Sequence, residues 1–472
     1  MSDAAVPLVE PLDYADAASV FAAFADDPHA VFLDSALQGQ AQGRYSYIAP
    51  DPFRILSSKD GAVDCGGARA IDDPFAALRV ELTRHGLHPV AGLPPFQGGA
   101  VGYFGYELAQ HLERLPFARA DDMHFPDLVV GFHDVVISFD HHERRAWICS
   151  SGLPETLASR RRARASERLR EIAARVSGVG AGSDPGSELA LTRGPVEVTA
   201  NFTRLAYENA VQRVIDYILA GDIFQANLSQ CFTARLPDEV TPYDLYRRQR
   251  ALNPAPFAAY LKLGDIVIAS ASPERFLRLA DGRVETCPIK GTRRRGTSPA
   301  EDRELAAALE SSVKDRAENV MIVDLLRNDL SRVCRDGTVD VPALCELEAF
   351  ATVFHLVSTV TGELRAGIGA LDLLAACFPG GSITGAPKIR AMEIIAELEP
   401  TRRGPYCGSI GYIGFDGSMD TSIVIRTYAM RGRHVTFQAG GGIVADSRPA
   451  DEYDETLAKA AALINGLSGT LR

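Results

Sequence analysis

The stretch from residue 257 to residue 291 constrains the fold of this chain most strongly, because it predicts several strands separated only by tight turns. Its apolar segments are divided at Gly264-Asp265 and Asp281-Gly282, and such dipeptides are typical of hairpin turns. Parallel strands need longer connections than these. The pattern therefore predicts antiparallel pairing and argues against a simple series of β-α-β units.

The rest of the sequence predicts further strands together with several long helices. We expect strands within residues 29–35, 43–58, 128–150, 224–236, 406–415, 422–430 and 434–444. Apolar residues recur at helical spacing, or cap residues bound a helical pattern, at 74–86, 153–176, 203–222, 244–254, 298–312, 313–334, 371–378, 387–398 and 449–467.

Composition argues against some classes of function. The 472 residues carry a net charge of −12, with 46% hydrophobic and 23% charged residues, which is ordinary for a soluble protein with a sizeable core. Nucleic acids and acidic membranes are bound by basic surfaces, so we expect neither as a partner. An anionic substrate would have to meet a local basic pocket or a metal ion.

The sequence predicts a cytoplasmic protein. Its eight cysteines are scattered and none forms a CxxC pair, which indicates free thiols in a reducing compartment. The N-terminus lacks the basic start and apolar core of a signal peptide. No run of about 18 apolar residues is present, so we expect no membrane span.

One segment is rich in Gly, Ser and Pro and predicts a linker at 177–195. It separates an N-terminal α/β region, residues 1–176, from a region with denser motifs, residues 196–472.

A single lysine stands out for its setting. Lys290 lies in CPIKGTRRRG (287–296), at the end of a strand-like run and just before a glycine and three arginines. Neighbouring cations and partial burial both disfavour an ammonium and make the amine more nucleophilic. Glu274, a few residues across a predicted hairpin, would then be a general acid or base. Alternatively, Lys290 is a solvated hairpin end and Glu274 an exposed turn carboxylate.

Three more glutamates are candidates for metal chemistry. Glu452, Glu455 and Lys459 share one face of the last predicted helix, and Glu318 lies on another predicted helix. Carboxylates from two helices would suit Mg²⁺ if they converged. The alternative for each is a solvated or arginine-paired side chain.

Other motifs give weaker signals. The glycine-rich stretches 378–390 and 438–447 fail the P-loop and dinucleotide patterns, although their backbone N–H groups could hold a carboxylate. His355 lies in an apolar run and is expected to be a core histidine. No GxSxG, HExxH or GxCxG motif is present, so any ammonia taken from glutamine must be released by another chain.

Ordered strings of residues carry a resemblance to a known family. They are GDIFQANLSQ, ASPERF, PIKGTRRRG, AENVMIVDLLRNDL, FHLVST, FPGGSITGAPK, CGSIGYIGF, DTSIVIRT, AGGGIVADS and DEYDETLAK, with looser matches at FLDS, GRYSYI and GGAVGYFGYEL. In these the chain resembles the chorismate-using enzymes, which include anthranilate synthase component I and isochorismate synthases. The resemblance implies an α+β fold, a large α/β sandwich of two packed antiparallel sheets with helices outside. It also implies that the two regions interleave and that residues 196–472 bind chorismate.

Within that family, the PIKGT form around Lys290 resembles aminodeoxychorismate synthase component I, whereas anthranilate synthases typically have alanine there. This resemblance implies conversion of chorismate and ammonia to 4-amino-4-deoxychorismate, on the route to 4-aminobenzoate and folate. Lys290 would attack ring position 2 while Glu274 protonates the hydroxyl that leaves position 4. Ammonia, supplied by a partner glutamine amidotransferase, would then add at position 4 and expel the lysine.

The same resemblance implies the remaining site residues. Mg²⁺ would be held by Glu318 and Glu455 with Glu452 close by, and His355 would lie near the ring with no assigned role. The other substrate contacts would be made by Thr384, Gly385, Tyr406, Arg426 and Gly441.

Two alternative functions stay open, namely anthranilate synthase component I and a non-catalytic subunit that binds chorismate or tryptophan. Some family members hold tryptophan in a pocket lined by a motif like FLDS (32–35) and by the region of NPAPF (253–257). Phe32 and Asp34 depart from the usual LLES form of that motif, which favours a core strand here over a tryptophan site.

Overall fold

The structure is a computed structural model that describes residues 4–37, 42–118, 120–177, 196–349 and 353–471. Its helices are α1 (Ala17–Phe21), α2 (Pro74–Thr83), α3 (Ala158–Val176), α4 (Arg204–Leu219), α5 (Pro242–Leu252), α6 (Pro299–Glu310), α7 (Val313–Ser331), α8 (Ala370–Cys377), α9 (Lys388–Leu398) and α10 (Pro449–Gly466). Two 3₁₀ turns lie at Tyr106–His111 and Gly381–Ile383.

The strands of the first half are β1 (Leu8–Leu12), β2 (Val31–Asp34), β3 (Tyr45–Ala49), β4 (Arg54–Lys59), β5 (Ala62–Cys65), β6 (Ala68–Ile71), β7 (Gly99–Phe104), β8 (Leu128–His133), β9 (Val135–Asp140), β10 (Arg145–Ser150), β11 (Val196–Ala200) and β12 (Gln225–Arg235). Those of the second half are β13 (Phe257–Leu263), β14 (Ile266–Ser272), β15 (Arg275–Ala280), β16 (Arg283–Thr286), β17 (Ile289–Arg294), β18 (Asp340–Ala349), β19 (Val353–Glu363), β20 (Gly385–Ala386), β21 (Ser409–Gly414), β22 (Met419–Ile423), β23 (Thr427–Arg431), β24 (His434–Ile443) and β25 (Gly469–Leu471).

These strands form two large sheets. The first has the order β1-β10-β9-β3-β2-β13-β14-β23-β24-β12-β11-β25, with β20 also paired to β12. The second has the order β17-β19-β16-β15-β22-β21-β7-β8-β4-β5-β6, with β18 paired to the other edge of β19. Pairing is antiparallel except between β11 and β25, so the predicted α+β fold of two antiparallel sheets is confirmed.

The two sheets pack face to face around a shared apolar layer. Val31 and Tyr47 of the first sheet meet Val101 and Tyr412 of the second in one buried cluster, and the rings of Tyr47 and Tyr412 lie 5.7 Å apart. Because successive side chains of a strand point to opposite faces, Phe32 points the other way and stacks on Phe21 of α1. Both faces of the central strands are therefore covered.

Helices cover the outer faces of the sandwich. One buried cluster joins α1, α3, α5 and α10 to the first sheet, and another joins α2, α7 and α8 to the second. Helices α4 and α9 pack on β12 through Val211, Ile394 and Leu228. The implied arrangement of sheets inside and helices outside is thus present.

The N-terminal region and the region after residue 195 share both sheets. Strand β2 pairs with β13 in the first sheet, and β7 pairs with β21 in the second. The predicted linker at 177–195 lies, except for Ser177, outside the described residues. The regional boundaries 1–176 and 196–472 stay a prediction, while the interleaving of the two regions is visible in the strand order.

One predicted strand is wrong. Residues 422–430 do not form a single strand, because β22 ends at Ile423 in the second sheet and β23 begins at Thr427 in the first. Between them Arg426 adopts a φ of +52°, a conformation outside the strand region. The apolar pattern runs on because the connecting residues pass through the buried corner between the sheets.

Strand β17 contains an irregularity that aims its side chains. Lys290 pairs with Leu356 and Thr292 pairs with His355, so Gly291 is an extra, unpaired residue. Its φ is +75°, and a Cβ added there would lie 2.9 Å from Leu309 Cδ1 and 3.0 Å from Asp315 Cβ. A bulge of this kind bends the strand and turns the neighbouring side chains.

We expect Gly291→Ala to lower the midpoint of thermal unfolding more than Gly282→Ala does. Both glycines have a φ near +75°, where alanine costs about 1–2 kcal/mol, but a Cβ at Gly282 meets nothing within 4 Å. The crowding at Gly291 adds to that cost. Equal decreases in the two midpoints would contradict the crowding argument.

Candidate active site

Most of the predicted site residues line one cavity of about 580 Å³ at the edge of the sandwich. Its walls come from β12, β17 and β24, from α7 and α10, and from the segments that connect the sheets. The predicted residues that line it are Lys290, Glu274, His355, Tyr406, Arg426, Glu318 and Glu455.

Glu274 and Arg426 lie where the chain passes from one sheet to the other. Glu274 connects β14 to β15, and Arg426 connects β22 to β23. The two crossings run side by side, because the Ile423 N–H donates to the Glu274 carbonyl at 3.1 Å and the Ser272 hydroxyl donates to the Ile423 carbonyl at 2.6 Å. This pairing brings a carboxylate and a guanidinium to the same corner of the cavity.

Ser382 joins Lys290 to Glu274. Lys290 Nζ donates to the Ser382 carbonyl at 3.1 Å, and Ser382 Oγ donates to Glu274 Oε1 at 2.7 Å. Ser382, which is far from both residues in sequence, thus binds the amine of Lys290 through its carbonyl and the acid Glu274 through its hydroxyl. An amine nucleophile and a proton donor can then act on one substrate.

Burial sets the charge state of these groups. Glu274 is 5% exposed, and burial raises its pKa to about 7, so about half of it is protonated at neutral pH. Burial also lowers the pKa of Lys290, which makes more free amine available, although Glu318 acts against this. The cation that lowers the Lys290 pKa further is Lys459.

The three arginines after Lys290 have a structural role. Arg293 Nη2 lies 3.0 Å from Asp315 Oδ2, Arg294 pairs with Glu301, and Arg295 Nη2 lies 2.6 Å from Asp302 Oδ2. These pairs fasten β17 to the first turns of α6 and α7. We expected the arginines to lower the Lys290 pKa. The structure instead attributes the lowered pKa to burial and to Lys459.

His355 is buried, as expected of a core histidine, but it also borders the cavity. Its Nδ1 lies 2.9 Å from the Thr292 hydroxyl, and burial lowers its pKa to about 4. The imidazole is therefore neutral at physiological pH, able to donate or accept one hydrogen bond but not to supply a positive charge.

The carboxylates of α10 lie against the glycines of β24, as their predicted common face requires. A Cβ on Gly441 would lie 3.2 Å from Glu452 Oε2 and 3.3 Å from Glu455 Oε1. A side chain at this position would crowd both carboxylates, so glycine lets them lie close to the strand. Lys459 Nζ lies 2.7 Å from Glu455 Oε1 and donates to the Gly440 carbonyl at 2.8 Å.

The same carboxylates fit a hard divalent cation in part. Within the described ranges, no three Asp, Glu, His or Cys side chains group closely enough to hold a metal by themselves. Mg²⁺, however, takes only one or two protein carboxylates and completes its shell with water and substrate oxygens. Glu318 and Glu455 face the same cavity from two helices, α7 and α10.

The carboxylates differ in their charge preferences. Burial raises the pKa of Glu318 and of Glu452. Burial also works to raise the pKa of Glu455, but Lys459 beside it lowers that pKa on balance. A cation bound between them would favour the ionised form of all three.

Two predicted substrate contacts lie behind the cavity wall. Ser382 and Ile383 line the cavity, whereas Thr384 and Gly385 follow directly and are buried. Thr384 donates its hydroxyl to the Gly380 carbonyl, and Gly385 pairs with Ala226 of β12. Their assignment as substrate contacts stays a prediction.

Several cavity residues escaped the sequence reasoning. Thr292, Lys314, Ser382 and Gln438 all line the cavity. Thr292 and Ser382 lie inside motifs that had been singled out for a neighbouring residue, and this position was the available signal. Lys314 had no signal, because a charged residue at the start of a helix is ordinarily solvated.

A second cavity of about 450 Å³ lies between the sheets beside β2 and β13. Phe32 is fully buried in β2, as expected of a core strand, while Leu33, Asp34 and Pro256 line the cavity. Asp34 is paired with Arg250 Nε at 2.6 Å and accepts the Tyr246 hydroxyl at 2.8 Å, so its charge is already balanced inside the protein.

A comparison with models of protein families identifies the family of this chain. The model of the family described as chorismate binding enzyme matches residues 30–465. The chain belongs to this family. As a family member it is a chorismate-utilising enzyme, and the resemblance found in the motifs is confirmed at that level.

Relatives of this chorismate-binding chain carry two different names. This chain is 43% identical over 441 residues to anthranilate synthase component 1 of Thermus thermophilus, and the alignment covers 93% of this chain and 92% of that protein. It is 41% identical over 449 residues to aminodeoxychorismate synthase component 1 of Salmonella typhimurium, covering 93% of each. These identities are too similar to choose between the reactions.

A solved structure supports the fold of this family member. Anthranilate synthase component I from Streptococcus pneumoniae superposes with a TM-score of 0.78 at 33% identity, covering 91% of this chain and 94% of that chain. Among the described residues, no helix is both long enough and apolar enough to span a bilayer.

Glu274 gives a prediction about stability. Its folded pKa of about 7 lies above the ordinary 4.5, so the unfolded state releases the proton first. Stability is therefore lost as pH rises from about 4.5 to about 7, by an amount of about 3 kcal/mol. Because glutamine cannot ionise, Glu274→Gln should raise the thermal midpoint relative to wild type at pH 8 and much less at pH 5.

The control for this experiment is Glu310→Gln, which changes an exposed carboxylate on α6. It should leave the midpoint nearly unchanged at both pH values. A Glu274→Gln effect that does not depend on pH would contradict the buried-carboxyl explanation.

Proposed function

We propose that this chain converts chorismate and ammonia to 4-amino-4-deoxychorismate through a covalent adduct on Lys290. The observation that carries the proposal is the amine of Lys290, which reaches the cavity and is joined through Ser382 to the buried acid Glu274. A lysine here supplies a nucleophile that alanine, typical of the PIAGT form, cannot.

The first step is an addition with loss of the 4-hydroxyl. The free amine of Lys290 forms a bond to ring position 2, the ring double bonds shift, and the bond from position 4 to its oxygen breaks. Glu274 gives its proton to the departing oxygen, which leaves as water, and the adduct's ammonium proton returns to a base in the cavity. A carboxyl with a pKa of about 7 suits this donation at neutral pH.

The second step reverses the geometry of the first. Ammonia forms a bond to position 4, the double bonds shift back, and the bond between position 2 and the Lys290 nitrogen breaks. The lysine leaves as the free amine after protonation of its nitrogen. Atoms balance, since chorismate plus ammonia gives 4-amino-4-deoxychorismate plus water.

The dicarboxylate needs counter-charges inside an acidic protein. Arg426 and Tyr406 would hold one substrate carboxylate, and both line the cavity. Glu318 and Glu455, with Glu452 behind Gly441, would hold Mg²⁺, which offers positive charge to the other carboxylate when it is bound. The backbone of 440–442 would border the same end of the substrate.

A separate glutamine amidotransferase would supply the ammonia. The chain has no GxCxG motif of the kind used for glutamine hydrolysis. Glutamine alone should therefore not replace ammonium in an assay of the purified chain.

Anthranilate synthesis is the second candidate, favoured by the 43% identity to the Thermus thermophilus protein of that name. It would yield 2-aminobenzoate and pyruvate from the same substrate.

Product identity tests the proposal. Purified protein incubated with chorismate, ammonium and Mg²⁺ should give 4-amino-4-deoxychorismate, identified by mass spectrometry and chromatography. Lys290→Ala should lower the rate at least about 100-fold, because the nucleophile is lost. The control Lys262→Ala changes a lysine on β13 whose Nζ donates to the Asp26 carbonyl, and it should keep the rate. Formation of 2-aminobenzoate and pyruvate, or an undiminished rate in Lys290→Ala, would overturn the proposal.

The Ser382 hydroxyl gives a prediction about pH dependence. Its hydrogen bond to Glu274 favours the carboxylate, so removing it raises the Glu274 pKa above about 7. A general acid must be protonated, and the rate therefore falls as pH rises through that pKa. In Ser382→Ala this fall should move to higher pH by about one pH unit.

Ser382→Thr keeps a hydroxyl and should restore the wild-type pH profile of kcat. The matched control is Ser409→Ala, which removes a buried hydroxyl that donates to the Ser422 carbonyl at 3.0 Å and not to Glu274. A shift of the same size in Ser409→Ala, or a shift to lower pH in Ser382→Ala, would contradict the assigned role.

A further inference from the structure

A buried ion pair lies directly behind the cavity. Arg403 is 3% exposed and Glu399 is 4% exposed, and they meet through two bonds, Nε to Oε2 at 2.9 Å and Nη2 to Oε1 at 2.7 Å. Neither residue lines the cavity. Burial works against the charge of Arg403, yet Glu399 raises its pKa well above the ordinary value, so the guanidinium stays charged.

The remaining donors of Arg403 are directed at the backbone of the cavity wall. Nη1 donates to the Ile383 carbonyl at 3.0 Å, and Nη2 donates to the Asn227 carbonyl at 2.7 Å. Both residues line the cavity. Ile383 directly follows Ser382, the residue that contacts Lys290 and Glu274. The hydrogen bond from Arg403 to the Ile383 carbonyl therefore holds the segment that carries Ser382.

Glu399 extends the same network to another wall residue. Its Oε1 accepts both the backbone N–H and the hydroxyl of Ser229, each at 2.8 Å. Ser229 lies on β12, two residues beyond Asn227, and it also lines the cavity.

Two aromatic rings enclose the guanidinium. The Arg403 Cζ lies 4.6 Å from the ring centre of Tyr106 and 5.7 Å from that of Tyr406. Contacts of this length between a guanidinium and an aromatic ring are attractive, and they gain strength where water is excluded. Tyr406 also lines the cavity, so its contact with Arg403 helps to position a cavity side chain.

The N-terminal region holds Arg403 from the other side. Glu107 Oε1 accepts the Arg403 N–H and Glu107 Oε2 accepts the Gly404 N–H, both at 2.9 Å. The backbone of Arg403 is thereby fixed by a residue that is 296 positions away in sequence.

We propose that Arg403, held by Glu399, is a positioning residue that sets the cavity's affinity for its dicarboxylate substrate. It fixes Asn227, Ser229, Ile383 and Tyr406 relative to one another without touching the substrate. The inference deepens the proposed function, because it concerns how the same cavity binds chorismate, but it does not depend on which product forms.

The test compares Arg403→Lys with Arg168→Lys. Lysine keeps the charge but cannot reproduce the planar fork that reaches Glu399 and two carbonyls together. Arg168 is a matched control, since it is 7% exposed, pairs with Asp51 and Glu171, and lines neither cavity. Both variants remove one buried guanidinium.

Chorismate consumption, followed without regard to product, gives KM and kcat, and calorimetry gives the Kd. Arg403→Lys should raise KM and Kd for chorismate at least about tenfold, because the wall residues lose their fixed spacing. Arg168→Lys should lower the thermal midpoint while KM stays within about twofold of wild type. A purely structural role would reduce the active fraction and hence kcat, but it would not raise KM.

Glu399→Gln keeps the test decisive if Arg403→Lys fails to fold. Glutamine retains an oxygen for Ser229 but removes the charge that balances Arg403, so KM should rise in the same direction. The proposal is overturned if the folded variants of Arg403 or Glu399 have the same KM and Kd as Arg168→Lys. A wild-type product of 2-aminobenzoate would overturn only the proposed reaction, since the KM comparison would still stand.

Discussion

The site depends on two places where the chain leaves one sheet and enters the other. At these crossings β14 leads into β15 and β22 leads into β23, and hydrogen bonds between the segments around Glu274 and Ile423 hold them together. A backbone that turns inside the sandwich must satisfy its N–H and C=O groups, because a buried unpaired group costs free energy. The crossings do so by pairing with each other, and this leaves side chains such as Glu274 and Arg426 free to face the cavity.

Burying ionisable groups at this corner has an electrostatic cost and a chemical use. The Glu274 carboxyl takes up its proton more readily and Lys290 gives its proton up more readily than either would in water. Both shifts have the same main cause, the removal of water from the charged form. A proton donor and a neutral amine thus coexist at one pH, which suits substitution on a small ring. Burying these groups lowers the free energy of unfolding, a cost that active sites commonly carry.

The sequence predicted much of the fold because local pattern and tertiary position agree in most of it. The turn signals at Gly264 and Asp281 gave the hairpins, and helix caps such as Ser298 gave the helices. The break inside 422–430 was missed because the corner residues are as apolar as a strand, and the positive φ of Arg426 has no signature in an arginine.

The predicted site residues came together where a motif carried them, but their supports did not show. Lys290, Glu274 and Arg426 were found through strings of neighbouring residues. Ser382, in contrast, contacts Lys290 and Glu274 across 92 and 108 positions of sequence, and Arg403 reaches Asn227 across 176. Spacing along the chain contains no information about such contacts. The three arginines after Lys290 illustrate the opposite error. Their nearness in sequence suggested an effect on the Lys290 pKa, but in the structure they pair with carboxylates of α6 and α7.

The pairing of β2 with β13 and of β7 with β21 has a consequence for modularity. A fragment that began near residue 196 would carry every proposed catalytic group, yet it would present the open edges of β13 and β21 to solvent. Exposed edges of this length favour association with other chains. It would also lack Glu107, which fixes the backbone beneath Tyr406. The catalytic half is therefore not a transferable unit, and recombination of this enzyme with another protein would have to exchange both halves together.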